Sequence, residues 1–179
     1  MAEVFLISDT HLGHKNILKF TKPNGELLRP GFVDVDDMNR YIFAAWRKVV
    51  TDKDKIYHLG DVAFNKYILE RMVDLPGKKR LVRGNHDLFK LKTYARVFED
   101  VYGVKQINGM WLTHFPMHPA AVEQPRVKAN IHGHLHAHHI MFKPNVRHPK
   151  YENVCVENLL GYAPVPLDEL VEIIKQRNS

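Results

Sequence analysis

Three short strand-like runs, each passing directly into residues that can bind a metal or a proton, constrain this chain more than any other feature. They are "EVFLIS" running into "DTH" (residues 3–11), "KIYHLG" running into Asp61, and "KRLVRG" running into "NHD" (79–87). The first, an apolar run closed by polar residues, reads as a buried strand, and the other two read as strands beside it. The segments between them have helical spacing. Met38, Ile42, Ala45, Trp46 and Val49 recur every three or four residues across a helix at 37–50, with Asp36 or Asp37 as its N-cap. "KYILERMVDL" repeats that spacing until Pro76 and Gly77 stop it. The first half thus alternates strand and helix.

A helix over 88–98 closes that half, and the pattern then changes. In "VKQINGMWLTHF", Asn108 and Gly109 join two strand-like runs as a type I′ hairpin does. "KANIHG" and "ENVCVE" add strands, and "LDELVEIIKQR" is a closing helix. Alternation first and hairpins later point to two packed sheets flanked by helices. The polar segments 13–35 and 115–128 are loops long enough to overhang a site.

The 179 residues are read as one domain, and 45% hydrophobic content is ample for a core. No apolar run reaches the 18 residues that span a bilayer, and "MAEVFLISDTHLG" lacks the basic start and apolar stretch of a signal peptide, so a cytoplasmic protein without membrane contact is expected. The single cysteine, Cys155, reads as a small buried thiol rather than a nucleophile. A net charge of +6 and a pI near 9.4 favour anionic partners, phosphates or nucleic acid. The basic stretch "PGKKRLVRGNHD" reads more simply as a solvated turn entering a strand.

The polar residues after the strands carry the chemistry. Alternate residues of an extended segment point the same way, so Asp9 and His11 can offer a carboxylate and an imidazole to one point. Asp61 follows a glycine, where the backbone can turn and let the carboxylate emerge at a strand end, and Asn85 and His86 do the same after the third run. His114 ends "MWLTH". In "NIHGHLHAHHIMF", His132, His134, His136, His138 and His139 crowd into eight residues. Singly, each has an ordinary structural explanation; their repeated position at strand ends is what marks a site.

The ordered set "DTH", "GD", "GNHD", a later histidine and "GHLH" resembles the calcineurin-like metallophosphoesterases across residues 9–136. The resemblance implies a four-layer α-β-β-α sandwich of two mixed β-sheets, a single domain over 1–179. It also implies two divalent metal ions: Asp9, His11 and His136 would hold one, Asn85, His114 and His134 the other, and Asp61 would bridge them. Oxygen and imidazole donors suit Mn²⁺, the favoured ion, as well as Fe²⁺, Ni²⁺ or Zn²⁺. Two such ions outweigh the two carboxylates and a bridging hydroxide, leaving a positive centre that attracts an anionic ester and activates its nucleophile. His86 matches the family histidine that protonates the leaving group or stabilises its charge.

Departures from the family pattern narrow the reading. Where the protein serine/threonine phosphatases have an acid and an arginine after "GD", this chain has Phe64 and Asn65, which argues against a protein phosphatase. The partner that orients His86 is left open, Asp87 being adjacent without assurance of facing it. "LGHKNI" after "DTH" is similar to a group of small bacterial and phage phosphoesterases. It puts His14, Lys15 and Asn16 near the first motif, with His14 and Asn16 as candidate substrate contacts and Arg83 as a candidate phosphate ligand. His58 reads as a packed histidine rather than a ligand. Phosphodiesters are favoured over monoesters because no arginine clamp for a dianion stands near the motifs. Small nucleotide-type or cyclic diesters are the expected substrates, with a nuclease and a non-catalytic scaffold as the rivals.

Overall fold

Alternation along β1 (Val4–Ile7) shows how the layers arise: Phe5 and Ile7 pack into one apolar cluster and Leu6 into another. A strand buried on both faces must lie between two layers. The computed structural model describes residues 2–178, so the terminal residues 1 and 179 of the expected domain lie outside the described residues. After β1 come α1 (Val35–Val49), β2 (Lys55–His58), α2 (Lys66–Glu70), β3 (Lys78–Val82), α3 (Leu91–Tyr94) and β4 (Asp100–Tyr102). The second half holds β5 (Lys105–Ile107), β6 (Met110–Thr113), α4 (Pro119–Val122), β7 (Ala129–His132), β8 (Met141–Lys143), β9 (Val146–Arg147), β10 (Tyr151–Asn153), β11 (Val165–Pro166) and α5 (Leu167–Asn178).

The first sheet runs β11-β1-β2-β3-β4, parallel except for β11, and the second runs β10-β7-β6-β5, parallel except for β5. Leu6, Tyr57, Leu59 and Val82 from the first meet Met110, Leu112, Ala129 and Ile131 from the second. On the far face of the first sheet, Ile56 and Leu81 pack with Met38, Ile42 and Trp46 of α1 and with Ile68 and Leu69 of α2. The outer side of the second sheet is closed more thinly, by Val122 of α4 with Val127 and Tyr151. This is the α/β sandwich of two mixed sheets with flanking helices. None of the described helices is long and apolar enough to cross a membrane.

Several elements differ from the sequence reading, each for a local reason. Helix α1 starts earlier than expected, capped by Asp34 rather than Asp36 or Asp37. Asp34 accepts from Asp37 N at 2.7 Å, and the Asp37 carboxylate accepts from Val33 N at 3.3 Å, a reciprocal cap. The helix expected at 88–98 shrinks to Leu91–Tyr94, because the Arg83 guanidinium takes the carbonyls of Asp87 and Phe89 and Lys90 is extended. α2 gives way to a 3₁₀ turn at Arg71–Asp74. The "ENVCVE" strand ends at Asn153, whose side chain accepts from Cys155 N at 2.9 Å and turns the chain. The Asn108-Gly109 turn joins β5 and β6 with φ of 52° and 83°, as a type I′ turn requires.

Candidate metal centre

Beyond their last paired residues, the loops after β1 and β2 run side by side. Asp9 N donates to Gly60 O at 3.0 Å, His11 N to Asp61 O at 3.0 Å and Leu12 N to Val62 O at 2.9 Å. Within these loops and the one after β7, Asp9, His11, Asp61, His134 and His136 have φ of 54°, 47°, 55°, 68° and 51°. Left-handed backbone is uncommon for non-glycine residues and clusters where a structure over-determines it. Asp9 and His11 therefore do converge, but through two backbone reversals and not through the extended alternation that the sequence suggested.

The side chains meet closely. His11 Nε2 lies 3.6 Å from Asp9 Oδ1 and 3.7 Å from Asp61 Oδ2, and His114 Nε2 lies 3.4 Å from Asp61 Oδ2 and 2.9 Å from Asn85 Oδ1. Donor atoms of Asp9, His11 and Asp61 fall within 4.8 Å of one another, as do those of Asp61, His114 and His134, and those of Asp9, His136 and Cys155. Asp61 belongs to two of these groups and stands between them. All seven residues anticipated as ligands are thus gathered at one end of the two sheets.

Charge is held tightly there. Burial pushes the Asp9 carboxyl up, but the close approach of His11 and the fields of His114 and His136 outweigh it and hold the group well below the usual carboxylate range. Asp61 is also depressed: burial raises it, while His114 and the backbone N–H of His86 lower it further. His114 is raised despite burial because it faces Asp61 and Asp9, and burial lowers His134. Two ionised carboxylates among imidazoles form a cation site in waiting.

Residues that the sequence did not single out support this arrangement. Glu157 accepts from His136 Nδ1 at 2.5 Å and from Arg29 Nη2 at 3.0 Å, and its carboxyl is depressed because Arg29 and His136 overcome its burial. Arg29, buried, also donates to Thr10 O at 2.8 Å and to Asp9 O. Asn153 Nδ2 holds the carbonyls of His136 and His138 at 2.8 and 2.7 Å. A β-carbon at Gly133 would stand 2.0 Å from Ser8 Oγ and 2.3 Å from Asp9 Oδ2, so only glycine lets this loop approach. Arg29 lies in the 13–35 loop already suspected of overhanging a site; nothing in its own spacing marks it.

Asp87 does not orient His86. Its carboxylate accepts from the backbone of Asp61, Val62 and Gly84 at 2.9, 3.0 and 2.8 Å, tying the second and third loops together. The exposed His86 is fixed by its backbone, which donates to Asp61 Oδ1 at 2.8 Å, and its ring lies 5.4 Å from Phe64 and 5.8 Å from His11. His14 stacks flat on Phe64 at 4.0 Å and lies 5.7 Å from His11; burial and its histidine neighbours push it down to about 4. Asn16, two positions after His14, is exposed on the 3₁₀ turn Lys15–Lys19. Arg83 faces the carbonyls of Asp87 and Phe89 at 2.8 and 3.2 Å. His58 is fully buried against Thr10 Oγ1 at 2.8 Å, and burial pushes it down to about 3. Among the other clustered histidines, His132 is buried, His138 exposed and His139 partly covered.

Whether this pocket suits metal ions can be judged from its buried atoms. Asp9 Oδ1 and His11 Nε2 are buried without a hydrogen-bond partner among the described residues, yet each faces another donor set at under 4 Å. Unsatisfied buried acceptors are costly unless a ligand completes them, and carboxylate, amide and imidazole donors fit borderline divalent cations. The comparisons with known proteins agree. A 35% identical relative, an uncharacterised protein of Methanocaldococcus jannaschii, aligns over 98% of this chain and 93% of its own length. The gene 66 protein of Mycobacterium phage L5 is 28% identical over 76% of this chain and 79% of its own. A crystal structure of a protein of unknown function from Aquifex aeolicus superposes with a TM-score of 0.68 at 27% identity, over 97% of this chain and 100% of that one. The profile of the calcineurin-like phosphoesterase superfamily domain matches residues 2–150. With a strand-end centre built for divalent cations, the chain belongs to the calcineurin-like phosphoesterase superfamily, whose chemistry is metal-dependent hydrolysis of phosphate esters.

Proposed function

We propose that the protein is a phosphodiesterase acting on small nucleotide-type or cyclic diesters, with Mn²⁺ as the favoured ion. The observation that carries the preference for diesters is the commitment of the nearby guanidiniums. Arg29 is spent on Glu157 and on the carbonyls of Asp9 and Thr10, and Arg83 on the carbonyls of Asp87 and Phe89. A monoester dianion calls for a bidentate cationic clamp, whereas a diester carries one negative charge and needs less.

In this reading Asp9, His11 and His136 hold one ion, Asn85, His114 and His134 the other, and Asp61 is shared. When bound, two such ions supply Lewis acidity toward the phosphoryl oxygens and lower the pKa of a water toward neutrality. The protein's own residues do the rest. Glu157 keeps the Nδ1 proton of His136 in place, so that Nε2 presents its lone pair to the centre. His86, exposed at the rim and anchored through its backbone on Asp61, carries a proton at its ring to the leaving oxygen. Phe64 and His14 wall one side and reduce the access of bulk water.

The test is hydrolysis of bis-p-nitrophenyl phosphate beside p-nitrophenyl phosphate, after chelation and again with Mn²⁺ restored. Faster turnover of the diester, returning only with the metal, supports the reading; a clear preference for the monoester overturns it. A nuclease acting on DNA or RNA is the second reading, favoured by the net charge of +6. Contact with several phosphates makes binding fall steeply with salt, so a KM for small diesters that is flat between low and moderate salt argues against it.

A further inference from the structure

We propose that the slot between the 20–28 turn and the GHLH loop is a nucleoside subsite, in which Phe20 stacks on the base of a phosphodiester whose phosphate lies at the candidate metal centre. The inference rests on the diesterase reading above and assigns the part of the substrate that the metal ligands do not touch.

The slot is a cavity of about 350 Å³ bordered by His134 and His136 themselves, so an occupant lies beside two of the candidate ligands. This size lies at the lower end of small-ligand pockets. Its most conspicuous wall is Phe20, 46% exposed beside the most polar part of the molecule. The turn that carries the ring is held in place. Leu28 N donates to Phe20 O at 2.7 Å, Lys22 N to Glu26 O at 2.7 Å, and Thr21 pairs with Leu27 as an isolated antiparallel bridge. The Phe20 ring meets His14 edge-on at 5.7 Å, and His14 in turn stacks on Phe64, so an aromatic row leads from the slot to His11 and His86.

The character of the lining selects among occupants. Phe20 with buried Leu28 and Ala137 gives a flat apolar face, while Thr21, Lys22 and His138 supply polar groups at the rim. Lys22 is paired with the exposed Glu26 at 3.3 Å, a contact weak enough to be exchanged for a ligand. An aliphatic chain would leave that rim without partners. A heterocyclic base has both a stacking face and hydrogen-bonding edges, and its sugar reaches back to the phosphate. Stacking of a base on an aromatic side chain is worth about a five- to hundredfold change in affinity.

The experiment holds the leaving group constant. The metal-loaded protein is given thymidine 5′-(p-nitrophenyl phosphate), methyl p-nitrophenyl phosphate and hexyl p-nitrophenyl phosphate; in each, water adds to phosphorus and p-nitrophenolate departs. The ratio of kcat/KM between the thymidine and methyl esters is expected to exceed about tenfold. It should fall by about five- to a hundredfold in Phe20→Ala and in Thr21→Trp, which fills the mouth of the slot. Calorimetric titration with thymidine 5′-monophosphate gives a readout apart from turnover, and Phe20→Ala should weaken that binding in parallel. A ratio unchanged in both variants overturns the proposal, as does a hexyl ester preferred over the thymidine ester and dependent on Phe20. Should no diester be cleaved, the diesterase reading fails, and the titration alone decides the slot: equal affinity in wild type and Phe20→Ala overturns it.

Discussion

Replacing Glu157 by glutamine tests the support of the centre without touching its ligands. The Glu157 carboxylate faces two donors, His136 Nδ1 on Oε1 at 2.5 Å and Arg29 Nη2 on Oε2 at 3.0 Å, with its side chain only 2% exposed. A carboxylate accepts from both. An amide of the same shape has one oxygen, so one donor must meet an N–H. If the amide oxygen turns to Arg29, His136 keeps its ring in place only by moving its proton to Nε2, which then cannot ligate a cation. If the oxygen turns to His136, the buried guanidinium of Arg29 loses its counter-charge. Either outcome removes one hydrogen bond to a charged group, about 1.5–3 kcal/mol, and the loss of such a histidine support costs about 10- to 100-fold in metal affinity. Urea melting in the presence of a chelator reads the first quantity, and competition between the protein and a fluorescent metal indicator reads the second. A Glu157→Gln protein that binds Mn²⁺ as tightly as wild type would refute the argument that Glu157 sets the tautomer of His136, whatever happens to its stability.

Three further outcomes are expected. His86→Ala should lower kcat by about 10²- to 10⁴-fold on a diester with an alkoxide leaving group, and by less on p-nitrophenyl esters, while elemental analysis still finds the wild-type metal content, since His86 belongs to none of the convergent donor groups; loss of an ion would make it a ligand instead. Gly133→Ala pushes a methyl against Ser8 Oγ and Asp9 Oδ2 and should destabilise the protein by about 1–3 kcal/mol and weaken metal binding together; a wild-type melting curve would show that the loop has room. The metal-free protein should lose stability as the pH falls from about 6.5 toward 3, because unfolded His58 takes a proton near 6.5 and the buried ring, pushed down to about 3, does not. That group contributes up to about 4–5 kcal/mol of the loss, so His58→Gln, followed by urea midpoints across this range, should show a shallower slope, and an identical slope would count against it.

The strand cores, and the candidate ligands that the fold brings together, were legible because both are written in local pattern. "EVFLIS", "KIYHLG" and "KRLVRG" each put apolar residues on both faces, and their sheet is covered on both faces. The hairpin was legible because Asn-Gly specifies its turn. Elements set by distant groups were not. The late start of α3 depends on Arg83 reaching forward to two carbonyls, and the early end of β10 on the side chain of Asn153. β11 and β4, two and three residues long, carry too little sequence to show a period. Arg29 and Glu157 were invisible for a similar reason: they stand 128 positions apart and acquire their role only by meeting.

Backbone conformation was the other thing that spacing could not reveal, and it explains why the centre is where it is. In an extended strand Asp9 and His11 would share a face with their α-carbons about 7 Å apart. Both residues instead have left-handed backbone, and their donor atoms lie 3.6 Å apart. With Asp61, His134 and His136 in the same region, five non-glycine residues at about 1–3 kcal/mol each cost a sum comparable to the whole stability of an ordinary domain. The compensation is visible in the fixed contacts around them: the loops after β1 and β2 bonded in register, Asp87 on three backbone donors, Arg29 under the carbonyls of Asp9 and Thr10, and Asn153 on the carbonyls of the GHLH loop. These hold the donors converged before any cation arrives, so a cation meets groups that need little reordering. Binding then offsets the electrostatic and hydrogen-bond cost of Asp9 Oδ1 and His11 Nε2 without further rearrangement, and whatever affinity results adds directly to the stability of the folded chain.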